Sequence, residues 1–303
     1  MTLTELRYIV ALSQTGHFGK AAEQCCVSQP SLSLAVKKLE EELGIAIFER
    51  SKSRIALTPT GETIVEQAKV VLHEAAQVQS LADAGRDPLG SQLAIGAIHT
   101  VGPYLFPSFI SALHRLAPDM PLYVEENFTA GLRRRLTSGE LDVAILALPF
   151  TEPDIVTQKV YEEPFVVLLP TDHPLAKHKK ISSEQLEEER VLLLGAGHCF
   201  RDQVLAACPR INKPNSRADA QMQSVVEGSS LETLKHMVAS GLGITVLPKS
   251  AAVTGDYSNG NLITRPLDDA SATRTIALAW RASFPRHQAI DAVSQAIKQS
   301  LKR

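Results

Sequence analysis

The sequence predicts a chain in three parts: a small all-α unit with a two-stranded turn appended, one long connecting helix, and a larger α/β unit of two lobes. Three observations predict it. Apolar residues recur at helical spacing through residues 1–58, a single unbroken helical pattern runs from Pro59 to Ala84, and from residue 92 onward short β-like runs alternate with helical segments. The length of 303 residues agrees, since a domain takes roughly 150 residues.

Composition narrows the class. Hydrophobic residues make up 44% and charged residues 21%, as in chains that fold unaided rather than disordered ones. No run approaches the roughly 18 apolar residues that span a bilayer, and no basic segment leads into an apolar one, so a cytoplasmic location without membrane attachment is expected. Four cysteines, at 25, 26, 199 and 208, are too few and too uneven for a disulfide scaffold. In a reducing compartment any disulfide among them is regulatory. No cofactor and no metal is expected. The net charge of −2 speaks against a chain coated with basic residues for bulk nucleic-acid binding. It leaves room for a local patch, and Lys20, Lys37, Lys38, Arg50, Lys52 and Arg54 supply one, partly offset by Glu40 to Glu42.

Leu3, Leu6 and Val10 share a helical face, and the segment from Phe18 through Ala21 and Ala22 forms a second short helix. A third is predicted from Ser28-Gln29-Pro30-Ser31, where Ser28 caps and Pro30 occupies the first turn. Its inward stripe is Leu32, Val36, Leu39 and Leu43, Gly44 ends it, and Ser31, Ser33 and Lys37 face outward. Two helices joined by a tight turn, the second with small polar and basic residues near its start, form the arrangement by which a helix-turn-helix enters a major groove. Phe48 to Thr58 reads as two short strands around a turn that carries Arg50, Lys52 and Arg54 toward phosphates, which makes a wing. On periodicity alone, a plain helical bundle with ordinary surface charges accounts for the same pattern.

The particular residues go further. Phe18-Gly-Lys-Ala-Ala-Glu, Val27-Ser-Gln-Pro-Ser-Leu-Ser, Lys38-Leu-Glu, Leu43-Gly, Phe48-Glu-Arg and Leu57-Thr-Pro-Thr-Gly together resemble the winged helix-turn-helix of the LysR family. The resemblance implies DNA contacts by Gln29, Pro30, Ser31, Ser33 and Lys37, with Arg50 and Arg54 on backbone phosphates. It also implies promoter DNA and RNA polymerase as partners.

Along the connecting helix Ile64, Ala68, Val71, Ala75, Val78 and Ala82 fall at alternating steps of four and three, a heptad seam. Such a helix pairs with a second copy, and a homodimer matches the two-fold symmetry of paired DNA half-sites. Packing against its own chain is the alternative. Gly85 to Ser91 breaks the helix and supplies a hinge. The expected divisions are residues 1–58 for the DNA-reading unit, 59–91 for the dimerisation helix and hinge, and 92–303 for the regulatory unit.

In the regulatory unit, β-like runs at Leu93 to Ile98, Leu122 to Glu126, Val143 to Leu148, Phe165 to Leu169, Val191 to Leu194, Ile244 to Leu247 and Thr275 to Trp280 predict a mostly parallel α/β architecture. Pro153 to Pro164 and Asn261 to Asp269 are expected to cross between two lobes, about 92–163 with 269–303 and about 164–268. Similarity to LysR effector domains implies that both lobes are Rossmann-like, as in periplasmic binding proteins. Ligands in such folds lie between the lobes, at strand C-termini and helix N-termini. Thr100 and Thr129 stand at such ends, although either threonine alone reads equally as a helix cap.

Gly195-Ala-Gly-His198-Cys199-Phe-Arg201-Asp202-Gln-Val-Leu-Ala-Ala-Cys208 begins with glycines and continues as a helix starting near Cys199. A helix N-terminus with Arg201 and His198 beside it favours the thiolate, the nucleophile toward peroxide. Thr100, Thr129 or His198 then assist the departing oxygen. Were 199–208 one helix, a rise of about 1.5 Å per residue would hold the sulfurs roughly 13 Å apart. A disulfide needs Cα atoms within about 7 Å, so bonding requires the segment to unwind and repack Phe200, Val204 and Leu205. Two inert buried cysteines are the competing reading.

Gly197-His-Cys-Phe-Arg-Asp-Gln with Cys208, then Ser230-Leu-Glu-Thr-Leu-Lys and Gly241-Leu-Gly-Ile-Thr-Val-Leu-Pro, is similar to the OxyR group of peroxide sensors within the LysR family. That similarity implies a peroxidatic Cys199 and a resolving Cys208, with Thr100, Thr129, His198, Arg201 and Asp202 as the peroxide-binding or thiolate-activating set. It implies hydrogen peroxide as the signal in oxidative stress, a thiol reductant that resets the switch, and pairing of dimers into a homotetramer. Pro209 to Val226 departs from the pattern, with Val225 and Val226 where some relatives have a histidine. Cys25 and Cys26, adjacent in the DNA-binding turn, are read as structural. Two further functions compete: a LysR-type regulator of a small anionic metabolite with an incidental Cys199, and a thiol peroxidase. The helix-turn-helix speaks against the second, and the chain is expected not to be an enzyme.

Overall fold

The computed structural model describes residues 1–50, 55–84, 87, 89–209, 211, 227–252, 261–269 and 272–301, apart from the side chains at 50, 77, 79–81, 83, 84 and 227. The chain divides into two compact units, Met1–Pro88 with Arg134–Leu141 and Leu89–Arg133 with Asp142–Arg303.

In the first unit, helix α1 (Leu3–Thr15) opens with a capping box between Thr2 and Glu5 and ends at Gly16, whose φ of 61° is left-handed. Helix α2 (Phe18–Gln24) is capped by the His17 imidazole, which accepts from Gly19 N at 3.0 Å. Helix α3 (Gln29–Leu43) starts under a Ser28 cap with Pro30 in its first turn and stops at Gly44. Leu6, Ile9, Leu12, Ala21, Ala22, Leu32, Val36 and Leu39 make one core, so the expected inward stripe of α3 holds for three of its four positions. Leu43 is the fourth and is 39% exposed, because it occupies the final turn where the chain swings away at Gly44.

Strands β1 (Phe48–Arg50) and β2 (Ile55–Leu57) pair antiparallel, and the Glu40 carboxylate accepts from Ile47 N and Phe48 N, tying this wing to α3. Helix α4 (Pro59–Ala84) follows as one piece. A Cβ on Gly61 would lie 2.1 Å from Ile47 O, so only glycine lets α4 begin this close to the wing. Along α4 the heptad seam divides. Of its residues Ile64 packs half-buried against the core of the first unit and Ala68 is buried in it, beside the off-seam Val65, whereas Val71 and Val78 are exposed, Val78 to 70%.

Beyond α4 the chain runs β3 (Leu93–Ile98), α5 (Gly102–Leu116), β4 (Leu122–Asn127), α6 (Thr129–Thr137, which the division between units cuts after Arg133), β5 (Val143–Ala147), β6 (Ile155–Pro170), α7 (Ser183–Glu187), β7 (Val191–Leu194), α8 (Cys199–Ala207), β8 (Glu227–Gly228), α9 (Leu231–Ala239), β9 (Ile244–Pro248), β10 (Leu262–Pro266), β11 (Thr273–Arg281) and α10 (His287–Ser300). The strands follow the order β4-β3-β5-β11-β6-β9-β7-β8, with β10 also on β6. Pairs β3/β4, β3/β5, β7/β8 and β7/β9 are parallel, the βαβ units of each lobe.

The expectation of mostly parallel sheets needs correction. Among the described residues the pairs β5/β11, β6/β11, β6/β9 and β6/β10 are antiparallel. Their source is β6, sixteen residues long, whose first half pairs with β11 and whose second half pairs with β9 and β10. Its first half mixes polar and apolar residues (Val156, Thr157, Gln158, Lys159) and so reads as a crossing segment. Asn261 to Asp269, also expected to cross, contains β10 in register with Val166 to Pro170. A hydrogen bond from the Tyr104 hydroxyl on α5 to Glu232 on α9, 2.8 Å long, adds a tie between the lobes.

Candidate functional site

Three strands of the second unit end at one place. After β3 come His99 and Thr100, after β4 come Phe128 and Thr129 at the start of α6, and after β7 the glycine-rich loop leads through His198 into α8 at Cys199. Ile98, His99, Thr100, Asn127, Phe128, Thr129, Gly197, His198 and Cys199 line the resulting cleft. It leaves about 10 Å³ to the centre of a water-sized molecule, which is room for roughly one such molecule. Gly197 makes the close turn possible: its φ is 95°, a left-handed value that other residues avoid.

Cys199 is half-buried at the first position of α8, with His198 as N-cap. The amides that open a helix have no partners within it, and their dipoles stabilise negative charge there. Thr100 is 3% exposed and doubly held: Arg274 donates through Nη1 to its Oγ1 at 2.8 Å and through Nη2 to its carbonyl at 2.9 Å. Arginine has no acceptor, so the Thr100 hydroxyl must spend its own proton on another group. Arg274 in turn donates twice to Glu163, at 2.9 and 2.7 Å, and Glu163 accepts from Ser250 N at 2.8 Å. The guanidinium stands 5.2 Å from the centre of the Phe200 ring, directly behind Cys199 in α8. The Thr129 hydroxyl is buried and has no partner among the described residues.

His198 is 7% exposed and packs on Phe128 at 4.7 Å, with His99 at 6.1 Å. Burial, followed by the nearness of His99, holds its imidazole below the usual range, and a hydrogen bond with the Ser229 backbone only partly opposes this. A neutral His198 therefore shapes the cleft and contributes no cation to the sulfur. Cys208 is the C-cap of α8, 1% exposed, in the core with Phe200 and Val204. Burial, with Asp269 and Glu184 adding to it, pushes its thiol up to about 11. All four cysteines are free thiols.

Of the residues expected at this site, Thr100, Thr129, His198 and Cys199 meet in the cleft lining. Arg201 and Asp202 do not line it. Arg201 donates to the Leu194 carbonyl at 2.7 Å, and Asp202 is exposed on α8.

Two family models match the chain, the helix-turn-helix of bacterial regulatory proteins of the lysR family over residues 3–62 and the LysR substrate binding domain over residues 86–302. The chain belongs to the LysR family. Among LysR-family relatives, the DNA-binding transcriptional dual regulator OxyR of Escherichia coli K12 is 36% identical over 298 residues, 98% of this chain and 95% of that one. A hydrogen peroxide-inducible genes activator of Dickeya chrysanthemi is 36% identical over 302 residues, covering 100% and 96%. Of solved LysR-family structures, a full-length Pseudomonas aeruginosa OxyR carrying a cysteine-to-aspartate substitution superposes with TM-score 0.81 at 55% identity, over 98% of this chain and 95% of that one. A Corynebacterium glutamicum OxyR cysteine mutant with hydrogen peroxide bound matches with TM-score 0.66 at 33% identity, over 99% and 92%.

In the LysR-family reading head, Gln29, Pro30, Ser31 and Lys37 are exposed on α3 and Ser33 is half-buried. Lys37 pairs with Glu41 at 3.4 Å. Arg54 and the Arg50 side chain lie outside the described residues, as do Val225 and Val226. Cys25 packs against the core of this unit, and Cys26 is exposed at a φ of 55°. Sequence reasoning missed Arg274 and Glu163. They lie 111 residues apart and meet only through the β6/β11 pairing, so neither stretch carries a local signal.

Proposed function

We propose that this chain is a cytoplasmic, promoter-binding transcription regulator of the OxyR type, which senses hydrogen peroxide through Cys199 and Cys208. One observation carries the reading. A half-exposed cysteine at a helix N-terminus faces a cleft that holds about one water-sized molecule, while a second cysteine stands buried at the far end of the same helix. A small cleft lined by a thiol and two threonine hydroxyls, with no cation among the described residues that line it, is better suited to a peroxide than to an anionic metabolite.

The peroxide lies against Cys199 with the Thr100 and Thr129 hydroxyls donating to its oxygens. The Cys199 thiolate sulfur attacks one oxygen, an S–O bond forms, the O–O bond breaks, and hydroxide leaves, stabilised by those hydroxyls and by the α8 dipole. In the second step the Cys208 sulfur attacks the sulfenic sulfur, the S–S bond forms, and the hydroxyl departs with the Cys208 proton as water. Because α8 separates the two sulfurs, this step requires the helix to open, and the repacking of Phe200 and Val204 alters the regulatory unit and its DNA contacts. A dithiol reductant resets the switch by taking both sulfurs back to thiols. One oxidation per signal suffices, which is regulation rather than turnover.

The sequence divisions at 1–58, 59–91 and 92–303 belong to this proposal, as do pairing of two chains through α4, a dimer of dimers, RNA polymerase as partner, and the DNA contacts of Gln29, Pro30, Ser31, Ser33, Lys37, Arg50 and Arg54. Arg201 and Asp202 support α8 from outside the cleft. The test is thiol mapping by mass spectrometry before and after stoichiometric hydrogen peroxide, with DNA footprinting on the same samples. A Cys199–Cys208 disulfide that changes the footprint is expected. A Cys199→Ser chain that still alters its footprint with peroxide rules the reading out.

A further inference from the structure

The outward face of α3 carries an apolar side chain that none of the roles above accounts for. Leu34 is 69% exposed, against 39% for Leu43 at the end of the same helix and none for Leu32 and Leu39. At about 100° per residue it lies about 170° around α3 from the stripe of Leu32, Val36 and Leu39. That places it on the outward face, between Pro30 and Lys37 on one side and Ser31 and Lys38 on the other. Before Lys37 this face bears no charge, since Pro30, Ser31 and Leu34 are all neutral. Lys37 and Lys38 beyond it are exposed cations suited to a phosphate boundary.

Side chains near the start of a recognition helix meet base edges rather than phosphates. A leucine has nothing to offer a donor or acceptor there. The major groove presents one apolar group, the C5 methyl of thymine, and burying a methyl against a branched aliphatic side chain removes both from water. We propose that Leu34 is a base-reading residue that selects thymine through its methyl group, one base pair per half-site. The proposal rests on the DNA-reading half of the proposed function and is independent of the chemistry at Cys199.

Deoxyuridine tests it, because uracil keeps every hydrogen-bonding group of thymine and lacks only the methyl. The full chain, kept reduced, selects its preferred duplex from a pool with randomised sequence. Each thymine of that duplex is then replaced singly by deoxyuridine and binding is measured for the unaltered chain, Leu34→Ala and Ser33→Ala. The unaltered chain is expected to bind about three- to fivefold more weakly when one particular thymine in a half-site is replaced, the worth of about one buried methyl. Leu34→Ala loses that difference at the same position and Ser33→Ala retains it. Leu34 is exposed, so the substituted chain folds, which circular dichroism checks. Three outcomes overturn the proposal: no thymine sensitive to loss of its methyl, an undiminished penalty in Leu34→Ala, or equal loss of binding by Leu34→Ala to all sequences. A peroxide response that failed at Cys199 would leave these measurements untouched.

Discussion

Cys199 and Cys208 mark the two ends of helix α8, one at its first position and the other at its C-cap, where the Cys208 amide donates to the Val204 carbonyl at 2.8 Å. Nine residues of helix at about 1.5 Å each keep the sulfurs roughly 13 Å apart, well beyond the reach of a disulfide. Oxidation therefore has to be mechanical as well as chemical.

The first expected outcome concerns α8 itself. Hydrogen exchange on peroxide-treated chain should lose amide protection across residues 199–208, together with neighbours of Phe200 and Val204, and Cys199→Ser should lose none under the same treatment. A disulfide found with unchanged protection in α8 would refute the coupling of bond formation to unwinding.

Cys208 titrates in the direction opposite to a reactive thiol. Burial raises it to about 11 from an ordinary 9, so the folded chain holds the proton more tightly than the unfolded one. The stability this contributes is complete below pH 9 and disappears as pH rises through about 11. Alkylation of Cys208 in Cys199→Ser, followed by peptide mass, should be slow in the folded chain at pH 8 and fast in urea. Equal rates in both conditions would contradict the burial.

The reading head and α4 were legible in the sequence because their signals are local: caps at Ser28 and Gly44, a 3.6-residue stripe through Leu32, Val36 and Leu39, and an unbroken pattern to Ala84. The cleft was half legible. Thr100, Thr129 and Cys199 stand at strand or helix ends that periodicity locates, so their meeting follows from the α/β fold. Arg274 and Glu163 were invisible, since a lone arginine and a lone glutamate acquire meaning only when antiparallel strands bring them together. The antiparallel run of β6 was hidden for a related reason: its first half faces mixed surroundings, so its residues lack the apolar run of a buried strand.

Thr129 separates a functional hydroxyl from a structural one. Its Oγ1 is buried without a partner among the described residues, so Thr129→Val removes an unsatisfied group and should leave the urea midpoint unchanged or raise it. The rate of Cys199 oxidation should nevertheless fall about tenfold, the worth of one hydrogen bond to a departing oxygen at roughly 1.4 kcal/mol. A slower reaction accompanied by an equal loss of stability would assign Thr129 to the fold alone.

On α4 the seam divides between Ile64 and Ala68, packed in their own unit, and Val78, open to solvent. If the open part is the pairing surface, Val78→Asp should halve the mass measured by light scattering at micromolar concentration, with helix content unchanged. Val65→Asp should instead unfold the reading head. Retention of the dimer by Val78→Asp would move the interface elsewhere.

Arg274 is the last case. Removing the guanidinium in Arg274→Ala leaves Glu163, 4% exposed, as a buried carboxylate without its counter-charge, at a cost of about 3–5 kcal/mol. The urea midpoint at pH 8 should fall accordingly relative to the unaltered chain. Adding Glu163→Gln should recover much of the loss at pH 8, because the amide oxygen still accepts from Ser250 N and no charge is left buried. Thr100 loses its donor in both variants, so peroxide oxidation of Cys199 should stay slow even where stability returns. Recovery of both together would show that Arg274 serves the fold and has no part in orienting Thr100.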